Sequence, residues 1–269
     1  MTSSPLLSVA DLSVHYGGVV ALDSVSFEVA AGTIAGLIGP NGAGKTTCLD
    51  ALSGFQTPTH GRVEFDGTDV TAAAPHRLAR QGFVRTFQSL DLFDDLTVRQ
   101  NLDVGARTPT WKDTLLDAFR PRALHDPVVD EALERCNLAG LAERRTTDLS
   151  NGQRHLVALA RAVVSKPKLL LLDEPAAGLD ETESTELAMT LRRIASGGTT
   201  VLLVEHDMSL VFGVCDTVHV LDVGRRIASG TAAEVRANPL VIDAYLGTGA
   251  RTDDRHRGAD AGLSEEAAP

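Results

Sequence analysis

The sequence predicts an α/β fold, a mostly parallel sheet with helices on both faces. Two short, largely apolar runs at 168–172 and 200–204 have the length and composition of strands buried on both sides. A helical stretch at 183–196, ended by Gly197-Gly198, lies between them, so strands and helices alternate. A glycine-rich segment, Gly39-Pro40-Asn41-Gly42-Ala43-Gly44-Lys45-Thr46, sits between an apolar run at 33–38 and a helix start at 46–52.

The elements follow in order. Residues 6–15 alternate loosely and 25–29 are β-prone, and together with 33–38 they predict an antiparallel β region at the N-terminus. Val63-Glu64-Phe65 followed by Asp66-Gly67 reads as a strand and turn, and 83–86 as a short strand ending near Gln88. From 97 to about 141 the apolar spacing turns helical, through Leu115, Leu116 and Phe119 and then Val128, Val129, Ala132, Leu133 and Cys136. Pro109, Pro121 and Pro127 break this region into several helices. Residues 217–222 read as a further strand, and the polar tail at 248–269 is expected to be disordered.

With 269 residues and 43% hydrophobic content, the chain is large enough for one domain with a subdomain and a real core. The net charge of −11 argues against non-specific nucleic-acid binding, which needs clustered Lys and Arg; no nucleic-acid partner is expected. Residues 1–5 lack the basic and apolar parts of a leader, and no run approaches the ~18 apolar residues of a membrane span. Cys48, Cys136 and Cys215 have no metal-ligand spacing and read as reduced thiols of a cytosolic protein.

The glycine-rich segment matches G-x-x-x-x-G-K-[ST], the loop whose backbone N–H groups fold around phosphates. Lys45 supplies charge for the β- and γ-phosphates, the Thr46 hydroxyl suits Mg²⁺, and the following helix dipole adds to the anion site. Gly39, Pro40, Asn41, Gly42, Ala43, Gly44, Lys45, Thr46 and Thr47 are therefore the candidate nucleotide-binding residues. The strand at 168–172 delivers Asp173 and Glu174 to its C-terminal end, where ligands bind in open α/β sheets. Asp173 suits Mg²⁺ and Glu174 a general base for water. His206, after the strand at 200–204, leaves at the same edge and is placed to meet a γ-phosphate; Gln88, at another strand end, suits Mg²⁺ or the attacking water. Ser150 is a good N-cap for a helix with apolar positions at Leu156, Val157, Leu159, Ala160 and Val163.

In this order, the phosphate loop, Gln88, Leu149-Ser150-Asn151-Gly152-Gln153, Asp173-Glu174 and His206 resemble the ABC (ATP-binding cassette) ATPases over residues 6–246. The resemblance implies a P-loop NTPase fold of the RecA-like type, with an N-terminal antiparallel β subdomain and an inserted α-helical subdomain. The cassette would span 6–247, with the helical subdomain at about 97–165. ATP and Mg²⁺ are the implied cofactors. Tyr16 matches the aromatic that stacks on adenine, a contact worth about 1–3 kcal/mol. Ser150, Gly152 and Gln153 match the motif that meets the γ-phosphate of ATP held by a second ABC ATPase subunit. Ala177-Gly178-Leu179-Asp180 matches the loop that crosses between subunits of a head-to-tail dimer, whether of identical or different chains. Asn151 stands where glycine is usual, and Arg154-His155 where glutamine is frequent.

Val84-Arg85-Thr86-Phe87-Gln88, Glu174-Pro175-Ala176-Ala177-Gly178-Leu179, Val204-Glu205-His206-Asp207-Met208 and the segment ending Tyr245-Leu246-Gly247 resemble the ATPases of branched-chain amino acid importers. Cassettes for urea, short amides or lipopolysaccharide share much of this. The implied partners are transmembrane permease subunits and, indirectly, a solute-binding protein, with the chain on the cytoplasmic face of the membrane. The alternative is a soluble ABC ATPase acting on nucleic acid or ribosomes; such proteins usually carry two cassettes or long insertions, and the negative charge argues against it. A P-loop kinase would leave the Ser150 motif and His206 without a purpose.

Overall fold

The structure, a computed structural model, describes residues 4–86, 90–106 and 126–245. Its centre is a six-stranded sheet: β3 (Ile34–Ile38), β6 (Phe83–Arg85), β7 (Leu169–Asp173), β8 (Thr200–Val204), β9 (Thr217–Asp222) and β10 (Arg225–Gly230), in the order β10-β9-β3-β8-β7-β6. All its pairs are parallel except β9 with β10. The strands of this sheet split their side chains between two cores. Ile38, Leu170, Leu172, Val201 and Leu203 face one; Leu37, Leu169, Leu171, Leu202 and Val204 face the other. That alternation is the two-residue period of a strand buried on both faces.

A second, antiparallel sheet has the order β2-β1-β4-β5, from β1 (Leu7–Tyr16), β2 (Val19–Val29), β4 (His60–Phe65) and β5 (Thr68–Asp69). It shares its core with the underside of the parallel sheet and with Cys48, Leu49 and Leu52 of α1 (Lys45–Leu52). The expected N-terminal antiparallel region is present, with one correction: β3 is not part of it. All five β3 residues are buried, so the strand needs cover on both faces and takes the centre of the parallel sheet between β8 and β9. β2 also begins earlier than the 25–29 run, because Val19 and Val20 pair with β1 while remaining exposed and so carry no alternating signal. β10 escaped the sequence reading for the same reason: its residues are only partly buried.

α2 (Pro75–Arg80) leads into β6. The other face of the parallel sheet carries helices. α3 (Val98–Ala106), α4 (Pro127–Arg135) and α5 (Asn151–Val163) pack together through Val98, Leu102, Val129, Leu133, Leu156 and Val163. The expected helical stretch from 97 is thus seen at α3 and α4; Leu115, Leu116 and Phe119 lie outside the described residues, as does the tail at 248–269. α6 (Glu181–Ser196) begins two residues before the expected 183 because Asp180 is its N-cap and accepts the Glu183 N–H at 2.8 Å. α7 (Met208–Val214) and α8 (Ala232–Arg236) complete the layer, followed by a helical turn at 239–245. Among the described residues no helix is long and apolar enough to cross a membrane.

Candidate ATP-binding and hydrolysis site

The glycine-rich loop joins β3 to α1, the strand-to-helix setting in which it cradles anions. Gly44 at the α1 N-cap has φ 100°, and a Cβ there would lie 2.8 Å from the Ala21 carbonyl oxygen; glycine is required on both counts. No side chain caps α1 and its first turn holds no acid, so its leading N–H groups face the loop. Lys45 Nζ donates to the Gly39 and Pro40 carbonyl oxygens at 2.8 and 3.1 Å. Burial lowers its pKa, and the charges of Glu174 and Asp173 oppose that shift. The structure therefore brings Lys45, Asp173 and Glu174, which are far apart in sequence, to one spot. Ala43 is buried, Thr47 half-buried, and Asn41, Gly42 and Thr46 are exposed.

Asp173 ends β7 at 8% exposure, and Arg85 Nη2 donates to its Oδ2 at 3.1 Å. Burial raises the Asp173 carboxyl, and Arg85 works against that rise. The same guanidinium donates from Nη1 to Asp50 Oδ1 at 2.6 Å and to Ser53 Oγ at 2.9 Å. Arg85 thus ties β6 to the phosphate-loop helix and to the acid at the sheet edge. The sequence alone gives Arg85 no task. Arg85→Met is expected to destabilise the fold by about 3 kcal/mol, since removing one partner strands a buried carboxylate. A urea-unfolding midpoint equal to that of the unaltered protein would contradict this.

Glu174 follows with φ 49°, a left-handed conformation that costs a bulky residue about 1–3 kcal/mol. Such strain gathers at functional sites, where the surroundings hold it in place; here the Glu174 N–H is pinned to the Val204 carbonyl oxygen at 2.9 Å. His206 Nδ1 stands 4.0 Å from Glu174 Oε1 and 3.7 Å from Glu205 Oε2. Glu205 is fully buried, and burial raises its pKa while three backbone N–H groups work against it. Its Oε1 accepts from Ala176 N at 2.7 Å and its Oε2 from His206 N at 3.0 Å. One buried carboxylate therefore locks the segment after Glu174 to the segment bearing His206. Sequence reading missed it, although a charged residue directly after an apolar strand and before His206 was the available signal.

Thr46 and Asp173 offer oxygen donors. Mg²⁺ is held by one or two protein oxygens while phosphates and waters complete its shell, so this donor set fits it. Gln88, the third expected metal contact, lies outside the described residues. Tyr16 ends β1 at 48% exposure and pairs with Val19 of β2, the strand whose Ala21 and Leu22 pack against Gly44.

The Ser150 helix start lies on the helical side, where Ser150 and Gln153 form a capping box at the N-terminus of α5. The unusual residues here are all engaged. Asn151 Nδ2 donates to the Gly178 carbonyl oxygen at 2.9 Å, and Arg154 donates to the Thr146 carbonyl oxygen and Asp94 at 3.0 Å each. His155 Nδ1 lies 2.8 Å from the Pro175 carbonyl oxygen. Ser150, Gly152, Gln153 and Asp180 thus form a second cluster, joined to the Glu174 edge through the 175–180 segment.

Residues 22–177 match the ABC transporter family model, and residues 225–251 match that of the branched-chain amino acid ATP-binding cassette transporter. The chain is 38% identical over 252 residues to the high-affinity branched-chain amino acid transport ATP-binding protein BraF of Pseudomonas aeruginosa, covering 91% of this chain and 99% of that one. It is 40% identical to LivG of Escherichia coli, described in the same words, with the same coverage. A solved ATP-binding cassette of an ABC transporter in its ADP conformation superposes with TM-score 0.79 at 30% identity, covering 91% of this chain and 100% of that one. The chain belongs to the ABC transporter ATP-binding family.

Proposed function

We propose that this ATPase is the peripheral, ATP-hydrolysing subunit of an importer for branched-chain amino acids or related small solutes. The convergence of Lys45, Asp173 and Glu174 at one edge of the parallel sheet carries the hydrolytic part of this reading. The match of residues 225–251 supports the solute class.

Lys45 exchanges its bonds to the loop carbonyls for phosphate oxygens, and the α1 N–H groups complete the cradle. Mg²⁺, when bound through Thr46 and Asp173, supplies positive charge against the phosphate oxygens. Glu174 accepts a proton from the attacking water, with its position fixed by the strained backbone and its link to β8. His206, hinged on Glu205, meets the γ-phosphate from the adjoining segment.

Completion of the site requires a second cassette, identical or paralogous. Its Ser150, Gly152 and Gln153 would approach the γ-phosphate, and two ATP molecules would lie between the subunits. Ser150→Arg is expected to abolish the ATP-dependent dimer, because a long cation on this exposed N-cap fills the interface. Circular dichroism should show an intact fold, and size-exclusion chromatography with ATP reads the loss; a surviving dimer would count against the shared site.

A cavity of about 530 Å³ lies between β6 and α5, lined by Val84, Leu90, Phe93, Val104, Ala158 and Arg161. Arg161 braces its rim by donating to the Leu90 and Asp91 carbonyl oxygens at 2.8 and 2.6 Å. This groove would receive a helix of the transmembrane subunit and pass closure of the cassettes to it. Uptake of labelled leucine, isoleucine or valine by vesicles holding the chain with its co-purified membrane subunits tests the reading. ATP turnover that responds to DNA or ribosomes and never to a solute would replace it with the soluble alternative.

A further inference from the structure

Glu183 sits where two helix starts meet. It is the N3 residue of α6, whose capping box it completes with Asp180. Its carboxylate also reaches across to α5: Oε1 accepts from Ser150 Oγ at 3.1 Å and from Gly152 N at 2.8 Å. The approach is so close that a Cβ on Gly152 would lie 2.7 Å from Glu183 Cδ. The first turn of α5 has no acid of its own, so the anion that satisfies its leading donors comes from another element, 33 residues from Ser150.

These two donors belong to the group expected to meet the γ-phosphate. Ser150 Oγ accepts from Gln153 N at 3.2 Å and has a single proton to give, which now goes to Glu183. A phosphate oxygen entering the same seat needs that proton, and its negative charge is repelled by the carboxylate already there. We propose that Glu183 holds the Ser150–Gly152 seat in the open subunit and must yield it to the γ-phosphate, and so sets the ATP concentration at which two cassettes close. The inference rests on the shared-nucleotide reading above. It makes Glu183 a positioning residue of that site: it acts through Ser150 and Gly152, and because it is also the N3 residue after Asp180, its release is felt by the segment that crosses between subunits.

The test is an ATP titration of the full chain carrying Glu174→Gln, with Mg²⁺ present, followed by light scattering. Adding Glu183→Gln keeps the side-chain length and removes the charge; Glu183→Ala removes the competing acceptor altogether. Both should lower the ATP concentration at half-dimerisation by roughly tenfold, the worth of one hydrogen bond to a charged group. A role limited to capping α6 would instead lower the thermal midpoint and leave the ATP requirement unchanged or raised. That result in either variant overturns the proposal while leaving the shared site standing. Failure of the Glu174→Gln protein itself to dimerise with ATP overturns both.

Discussion

Glu174→Gln is expected to slow ATP turnover by roughly 10²–10⁴-fold, the usual contribution of a positioned general base, and to leave ATP binding in place. The amide has nearly the shape of the carboxylate and cannot take the proton from water. The site is built so that no neighbour substitutes readily. Asp173 is engaged by Arg85, Glu205 is committed to the backbone N–H groups of Ala176 and His206, and His206 stands off at 4.0 Å. The change also leaves the Lys45 cradle untouched, so separate effects on turnover and affinity are expected. Phosphate release and equilibrium binding, measured on the same preparation, check this. Turnover near that of the unaltered protein would move the base elsewhere.

Lys45→Ala should show the reverse pattern, a loss of ATP affinity of about 10–100-fold, as expected for bonds between an ammonium and phosphate oxygens worth roughly 1.5–3 kcal/mol. Lys45 is the cation of this spot, and Glu174 and Asp173 favour its charged form against the burial that lowers its pKa. Without it, ATP brings its phosphates towards Asp173 and Glu174 with only the α1 N–H groups and the metal to offset the repulsion. The loop loses the Lys45 bonds to the Gly39 and Pro40 carbonyl oxygens, but Gly44, the β3 register and the α1 packing through Cys48 and Leu49 do not involve the ammonium and should hold the fold around it. Calorimetric titration reads the affinity, and circular dichroism controls for the fold. An unchanged dissociation constant would refute the assignment of the phosphate seat.

Local signals carried most of the architecture. The β7 and β8 runs and the Gly39–Thr46 loop specify themselves over a few residues, through burial on both faces and through glycines that the backbone requires. The error at β3 came from neighbours in sequence: two antiparallel strands precede it, and only its uniform burial shows that it belongs to the other sheet. At the site, Lys45 and Asp173 were legible because one begins and the other ends an element with a clear pattern, and Glu174 because it follows Asp173 directly. Arg85 was not, because its meaning is a bridge to Asp50 and Asp173, 35 and 88 residues away, and no periodicity encodes that. Glu183 had a partial signal, the Asp180-x-x-Glu183 spacing of a capping box, which marks the start of α6 but says nothing of its second bond to Ser150. Asn151 looked like a departure from a motif and proves to have its own partner in Gly178, which fixes the Ser150 helix against the loop after Glu174.

Sedimentation velocity of the Glu174→Gln protein with saturating Mg-ATP, read together with bound nucleotide per chain, tests the shared site most directly. The account predicts a species of twice the 28.4 kDa chain mass with one ATP per chain, absent without ATP and abolished by Ser150→Arg. A chain that binds its full complement of ATP and still sediments as a monomer would contradict it.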